Sequence, residues 1–149
     1  MDIAIRDATD EDIPHIFEVR TSVRENHLSV AQMADLGITP DTIEAALEQA
    51  PCIWVALHKG TVIGFSMSNL AEGCIFAAFV RPEWEGKGVG RRLIERAEAF
   101  LFAHHACIWL STDSASRAAK VYERLGWTPV AKLANGEIRF EKRRPPDRD

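Results

Sequence analysis

Three glycines at alternate positions, between an apolar strand and an amphipathic helix, form the segment of this chain best suited to chemistry. Gly86, Gly88 and Gly90 free the backbone to turn tightly and to bring several N–H groups to one small volume. Unpaired N–H groups and the positive end of the helix dipole make a helix N-terminus attractive to anions. The pattern therefore predicts a seat for a phosphate-bearing cofactor, although a tight structural turn would also explain the glycines.

The spacing of these glycines differs from two common phosphate-binding loops. A Walker P-loop requires Gly-x-x-x-x-Gly-Lys-Ser/Thr, but here Gly88 follows Lys87 and Arg81 stands at the first glycine position. A dinucleotide fingerprint, Gly-x-Gly-x-x-Gly, would place its third glycine one residue after Gly90. A nucleotide-phosphate enzyme is also disfavoured because no set of magnesium ligands stands out.

Two segments together resemble motifs of the GNAT superfamily, the acyl-CoA-dependent N-acetyltransferases. Residues 85–90 are similar to its motif A, Gln/Arg-x-x-Gly-x-Gly/Ala, with Gly88 and Gly90 in register. Residues 116–127 resemble its Asn-x-x-Ala-x-x-Tyr-x-x-x-Gly-Phe segment and follow an apolar strand, as the family requires. The resemblance extends from Ile3 to about Lys142. It implies a single N-acetyltransferase domain over 1–142 and a flexible charged tail over 143–149.

The hydrophobic pattern supplies the elements that would position these motifs. Strands are predicted at 3–6, 52–57, 61–68, 73–80, 108–110 and on both sides of Asn135-Gly136. Helices are predicted from a Thr9 cap to about Arg24, from Thr39-Pro40 onward, from Val89 to Leu101, and from Ser114 or Ser116 to Gly126. A polar stretch, 25–37, separates the first two helices.

The order β-α-α-β-β-β-α-β-α-β-β predicts an α/β fold whose sheet is mixed, as in α+β proteins. The glycine loop lies in a strand–helix–strand unit, whose crossover indicates parallel, right-handed pairing. We therefore expect a central mixed sheet, mostly antiparallel, with one parallel βαβ pair. The resemblance implies helices on both faces and a cofactor lying where the two parallel strands splay apart, at Val80 and near Leu110.

The resemblance also implies roles for the motif residues. Backbone N–H groups from about Gly86 to Arg91 would hold the pyrophosphate of acetyl-CoA, and strand residues would pair with its pantetheine arm and polarise the thioester carbonyl. The cofactor-binding residues would be Phe79, Val80, Glu85, Gly86, Lys87, Gly88, Val89, Gly90, Arg91 and Ser116. Ser116 could equally cap its helix. Tyr122, the only tyrosine, matches the family's general acid to the leaving thiolate, with packing under the helix as the alternative.

Glu85 departs from the Gln or Arg that is usual in motif A. A carboxylate about 6 Å from a phosphate would cost roughly 2–3 kcal/mol at an effective dielectric of about 20. Either the side chain faces solvent and only the backbone matters, or Lys87, Arg91 and Arg92 offset its charge. We favour the solvent-facing arrangement.

The acceptor side is predicted by analogy alone. Glu72, just before the fourth strand, lies near where some family members place a carboxylate base that acts through water. The acceptor site would be lined by Arg24, Glu25, Asn26 and His27. Arg20 and Arg24 would recognise a carboxylate on the acceptor or form a solvated face. A solvated surface position is the alternative for each of these residues.

The expected function is direct transfer of an acetyl or other acyl group from acetyl-CoA to a primary amine on a small molecule or peptide. The alternative is a non-catalytic acyl-CoA-binding or interaction module on the same fold. Similar proteins are commonly homodimers, so a homodimer is compatible with the resemblance.

Composition bounds the remaining possibilities. The 149 residues carry a net charge of −4, which argues against a nucleic-acid-binding role because such modules usually have a strongly basic face. Cys52, Cys74 and Cys107 each fall in an apolar run and are predicted to be buried free thiols in a reducing compartment. With no metal-ligand spacing, no signal-peptide core and no membrane-spanning run, we expect a cytoplasmic, soluble protein without a metal or a membrane partner.

Overall fold

The computed structural model describes residues 2–23, 28–113 and 116–146. The strands in these residues are β1 Ile3–Asp7, β2 Ile53–His58, β3 Thr61–Asn69, β4 Cys74–Val80, β5 Cys107–Asp113, β6 Thr128–Lys132 and β7 Glu137–Arg143. The helices are α1 Ile13–Ser22, α2 Val30–Asp35, α3 Pro40–Gln49, α4 Val89–Phe102 and α5 Arg117–Arg124. Short 3-10 turns occupy Asp10–Asp12 and Pro82–Trp84.

One sheet contains all seven strands of the described residues, in the order β1-β2-β3-β4-β5-β7-β6. Every neighbouring pair is antiparallel except β4 and β5, which are parallel and are connected through α4. The predicted mixed sheet with one parallel βαβ pair is therefore confirmed. Two hairpins are also present where strands were predicted on both sides of a turn, at Lys59-Gly60 between β2 and β3 and at Asn135-Gly136 between β6 and β7.

Helices cover both faces of the sheet, because alternate residues of the inner strands are apolar on both sides. Trp54 and Ala56 of β2 join a core with α4 and α5, whereas Ile53 and Val55 join a core with α1 and α3. Five apolar residues of α4 that recur at helical spacing are buried, namely Val89, Leu93, Ile94, Ala97 and Leu101, and Phe100 beside them is partly buried. The long α4 is thereby anchored against the parallel pair, and its N-terminus lies just beyond the end of β4.

Two helices differ from the sequence prediction. The acidic segment after Thr9 forms a 3-10 turn, Asp10–Asp12, and α1 begins only at Ile13 and ends at Ser22. The predicted end near Arg24 lies outside the described residues. The polar stretch also contains a helix, α2, which begins with a reciprocal capping box in which Ser29 and Gln32 bond each other's backbone N–H.

Two predictions about the end of the sheet are corrected. Arg143, the first residue of the predicted tail, belongs to β7, and the Arg144 backbone N–H donates to the Ala106 carbonyl at 2.8 Å. Cys107 is exposed, whereas Cys52 and Cys74 are buried. Cys107 alternates with Ile108, which faces α4, so its side chain lies on the opposite face, where the core of α1 and α3 does not reach.

Candidate functional site

The parallel strands β4 and β5 form a fork. In the described residues their register contains one partner pair, Cys74 and Trp109, next to a hydrogen bond from the Trp109 N–H to the Gly73 carbonyl at 3.1 Å. Beyond this closed end the strands separate, and β5 continues to Asp113 instead of ending near Leu110 as predicted. Within the part of the chain that the structure describes, the rest of β4 pairs with β3 only, so the main chain on its other edge has no strand partner there.

A cavity of about 710 Å³, the fork cavity, occupies the open end of the fork. The end of β4 and the turn after it line one wall, and α5 lines the other with Arg117, Ala118, Val121 and Tyr122. Predicted site residues that line it are Phe79, Val80, Glu85, Gly86, Gly90 and Tyr122. Residues that line it without having been assigned a role include Trp84, Ile94, Arg117, Ala118 and Val121.

The glycine turn brings backbone to the edge of the fork cavity, which Gly86 and Gly90 line. Gly86 and Gly88 have φ values of +75° and +84°, a left-handed conformation that disfavours other residues, and Gly88 is the N-cap of α4. A Cβ atom at either position would have no atom within 4 Å, so the space above both is open. Val89 is 1% exposed and contributes a core side chain, which leaves only its backbone for a ligand. These features suit an anion at the helix N-terminus.

Tyr122 is buried in the wall of the fork cavity. Its ring centre lies 6.0 Å from that of Trp127 and 6.2 Å from that of Phe140, in edge-on and tilted contacts. Loss of solvent around the phenol raises the pKa of Tyr122 to about 12. The hydroxyl therefore stays protonated at every physiological pH and is able to donate a hydrogen bond or a proton to a basic atom in the cavity.

The structure corrects the expected environment of Glu85. Its carboxylate accepts from Arg117 Nη1 at 2.7 Å, so it neither points freely into solvent nor relies on the three cations considered from the sequence. Arg91 instead pairs with Glu95 at 3.7 Å, and Arg92 donates to the Ile3 carbonyl at 2.8 Å. The Glu85–Arg117 pair spans the two walls of the fork cavity, and Arg117 is the cavity cation that sequence reasoning missed.

Ser116 acts as the N-cap of α5. Its hydroxyl accepts from the Ala119 N–H at 3.3 Å and donates to the Asp113 carbonyl at 2.7 Å. The residue is 5% exposed and is not among those lining the fork cavity. Of the two roles left open by the sequence, the structure supports capping.

Replacing Ser116 by alanine should therefore lower the free energy of unfolding by about 1 kcal/mol, the usual cost of losing an N-cap hydroxyl. Urea denaturation of the wild-type and S116A proteins measures this loss. Calorimetry with acetyl-CoA should give the same dissociation constant for both. Weaker binding at unchanged stability would support a cofactor contact instead.

The structure does not bring Glu72 to the fork cavity. The residue lies two positions before Cys74, at the closed end of the fork, and its carbonyl accepts from Trp109 Nε1 at 3.0 Å. β4 runs from there to the cavity, so Glu72 lies near the start of the strand and Tyr122 lies near its end. We therefore do not retain Glu72 as the base.

The remaining predicted site residues are placed as follows. Arg24, Glu25, Asn26 and His27 lie outside the described residues. Lys87 and Arg91 are exposed beside the glycine turn.

Comparison with known proteins agrees with this geometry. Residues 11–127 match the model of the Acetyltransferase (GNAT) family. The PaiA N-acetyltransferase of Thermoplasma acidophilum, solved in complex with coenzyme A, has a TM-score of 0.79 at 17% identity, with 97% of this chain and 100% of that chain covered. An N-acetyltransferase from Staphylococcus aureus Mu50 has a TM-score of 0.77 at 20% identity, with 96% and 99% covered.

A third similar structure is yncA from Salmonella typhimurium, solved with its cofactor acetyl-CoA. It has a TM-score of 0.75 at 20% identity, and the match covers 99% of both chains. At these identities the structural likeness shows a shared fold. No curated protein sequence matches the chain.

Two further observations concern the whole of the described part. Its helices are each too short or too polar to cross a lipid bilayer. Across the same residues, no three His, Cys, Asp or Glu side chains come together in a way that could hold a metal ion. Because the family model spans most of the chain and the sheet, fork and glycine turn agree with it, the chain belongs to the GNAT family of acyl-CoA-dependent acetyltransferases.

Proposed function

We propose that this protein transfers an acetyl group from acetyl-CoA directly to a primary amine, with Tyr122 as the general acid to the CoA thiolate. The observation that carries the proposal is the fork cavity itself. Gly86 and Gly90 of the glycine turn and the buried, protonated phenol of Tyr122 all line this one space of about 710 Å³, which supports an anion seat and a proton donor in the same cavity. That volume lies in the usual range for small-molecule sites.

The donor fits the residues of the fork. Unpaired N–H groups at the start of α4 suit a diphosphate, and the free edge of β4 near Phe79 and Val80 suits the amide groups of a pantetheine arm. Two structures with this fold were solved with coenzyme A or acetyl-CoA, which supports the same donor here.

Direct transfer requires the amine nitrogen to form a bond to the acetyl carbon as the carbon–sulfur bond breaks. The nitrogen loses a proton and the sulfur gains one. Of the three cysteines, Cys52 and Cys74 are buried and Cys107 is exposed, and none lines the fork cavity. The described residues therefore offer no thiol for a covalent relay.

The raised pKa of Tyr122 is compatible with its acting as an acid. A phenol near 10 and a thiol near 8.5 differ by about 1.5 pKa units in water, or roughly 2 kcal/mol. Burial raises the pKa of the phenol because the anion loses solvent, and a thiolate leaving into the same cavity loses solvent in the same way. The difference in pKa between the phenol and the CoA thiol therefore stays small while both groups are enclosed in the cavity.

Replacing Glu85 by glutamine should tighten acetyl-CoA binding about 3- to 10-fold at low ionic strength. The substitution removes a negative charge from the mouth of the fork cavity, where Glu85 now accepts from Arg117. A diphosphate at the start of α4 would then meet one repulsive charge fewer, and Arg117 would have one competing carboxylate fewer. Isothermal titration calorimetry measures the dissociation constant.

The matched control is Glu95→Gln, which removes the same charge from an exposed site on α4 outside the cavity. This variant should bind acetyl-CoA like the wild type. In about 0.5 M salt the increase in acetyl-CoA affinity caused by Glu85→Gln should shrink, because salt screens the interactions between exposed charges. Equal dissociation constants for E85Q and wild type at low salt would contradict this role of the carboxylate.

The proposed function is tested by a thiol-release assay with acetyl-CoA and a broad panel of primary amines, alongside calorimetry with acetyl-CoA. Acetyl transfer predicts amine-dependent thiol release together with binding. Binding without release across the panel would favour an acyl-CoA-binding module that has lost its chemistry. Failure of folded protein to bind acetyl-CoA would reject both.

A further inference from the structure

A second, smaller cavity of about 30 Å³ lies on the sheet face that α1 and α3 cover. We call it the Arg20 cavity. Its lining includes Phe17, Arg20, Met33, Met67, Phe76 and Ala77. Among the lining residues that the structure describes, Arg20 carries the only charge, and every other one is apolar. A single cation in an otherwise apolar cavity indicates a place for one anionic group next to an apolar one.

Arg20 is not neutralised by the residues around it. Its Nη1 atom is buried and has no hydrogen-bond partner within the described residues. The guanidinium carbon lies 4.1 Å from the centre of the Phe79 ring, and burial lowers the pKa of this arginine. A nearby carboxylate, Glu18, instead pairs with Arg81 at 3.3 Å on the exposed side of α1. The buried Nη1 atom of this half-buried cation therefore lacks the partner that such atoms normally have.

Phe79 lies between Arg20 and the fork cavity. The ring of Phe79 contacts Arg20 on one side, and the same residue lines the fork cavity. A register shift in β4 leaves Phe76 as an extra residue between Ile75 and Ala77, and it brings both Phe76 and Ala77 to the Arg20 cavity. A molecule reaching the thioester past Phe79 would thus pass a cation flanked by apolar side chains.

We propose that Arg20 binds the carboxylate of the acceptor, and that the acceptor is an apolar α-amino acid. This inference rests on the proposed function and names its substrate class. A guanidinium forms paired, charge-assisted hydrogen bonds with a carboxylate, which would satisfy the buried Nη1 atom. The apolar residues Phe17, Met33 and Phe76 would take the side chain of the amino acid. Polyamines and other acceptors without an anion would leave Arg20 unpaired beside their own positive charge.

The acceptor itself provides the first test, with the unmodified protein. In the thiol-release assay, L-leucine should have a kcat/KM about 10- to 100-fold above that of L-leucinamide and of isopentylamine, after correction for the neutral fraction of each amine. The three compounds differ only in one substituent of the amine-bearing carbon, which is a carboxylate, a carboxamide or a hydrogen atom. Equal or better acetylation of leucinamide or isopentylamine would overturn the proposal.

Equilibrium binding separates this inference from the proposed function. With saturating coenzyme A, N-acetyl-L-leucine should bind at least about tenfold more tightly than N-acetyl-L-leucinamide, whether or not the protein turns over. If acetyl-CoA binds but no amine releases thiol, the transferase function fails, and the two acetylated ligands still test Arg20. Equal binding of the two, or no binding of either, would overturn the carboxylate site.

Arg20→Met is the matching variant, because it keeps an unbranched apolar stem against Phe79 and removes the charge. It should abolish the preference for N-acetyl-L-leucine over the amide. Arg96→Met removes an exposed arginine of α4 that pairs with Asp7 at 3.5 Å, and it should retain the preference. A preference that survives in R20M with a normally folded protein would also overturn the proposal.

Discussion

Replacing Tyr122 by phenylalanine should lower kcat for acetyl transfer about 100-fold, the low end of the usual contribution of a general acid. The change removes only the hydroxyl and keeps the ring contacts with Trp127 and Phe140. The thiolate would then leave without a proton donor in a cavity where its charge is poorly solvated. Steady-state thiol release with a saturating amine measures kcat.

The dissociation constant of acetyl-CoA should be nearly the same in Y122F and wild type, since the anion seat and the β4 edge are unchanged. The pH profile supplies a second check. Because the pKa of Tyr122 is about 12, wild-type activity should not decline from loss of this proton below about pH 11. It should rise instead as the amine loses its proton. Unchanged kcat in Y122F would remove Tyr122 from the mechanism.

Replacing Glu98 by alanine should lower the free energy of unfolding by about 3 kcal/mol. Glu98 lies on the buried side of α4, where its carboxylate accepts from Trp127 Nε1 at 2.9 Å and from Lys142 Nζ at 2.9 Å. The substitution would leave both donors with one acceptor fewer, in a site where water has little access. Urea denaturation followed by tryptophan fluorescence measures the effect.

Two variants separate the charge of Glu98 from its hydrogen bonds. Glu98→Gln keeps an acceptor for Trp127 and should cost less than the alanine variant. A combined Glu98→Leu and Lys142→Met substitution removes both charges and should recover much of the loss, since apolar pairs often replace buried ion pairs without cost. An alanine variant as stable as wild type would show that the contacts contribute little. Because Trp127 also contacts Tyr122, loss of Glu98 should lower kcat as well.

Local patterns in the sequence were sufficient for most of the fold. Alternating apolar residues, glycine turns and helix caps act over a few residues, so the strands, hairpins and the helix after the glycine loop could be predicted. The helix α2 was missed although Ser29 and Gln32 carry the capping-box signature, because its surroundings are polar. The roles of the glycine-turn residues and of Tyr122 remain predictions that the proposed experiments test.

The acceptor side could not be read from local pattern. Glu72 was chosen by analogy with its position in the chain, yet the register of β4 and β5 puts it at the closed end of the fork. Arg20 was considered as either a carboxylate binder or a solvated residue. Only its contact with Phe79 and its buried, unpaired Nη1 atom favour the first.

The sequence by itself determined the succession of strands along the chain, the glycine turn at the start of α4 and the family, because each depends on residues close together in the chain. Tertiary structure alone decided which charges meet. Glu85 and Arg117 are 32 positions apart, and Glu98 and Lys142 are 44 apart. Such pairs depend on the register of the sheet and the placement of helices on it, which no local pattern encodes. Cys107 illustrates the same limit, since its strand was predicted correctly but the uncovered face beneath it was not.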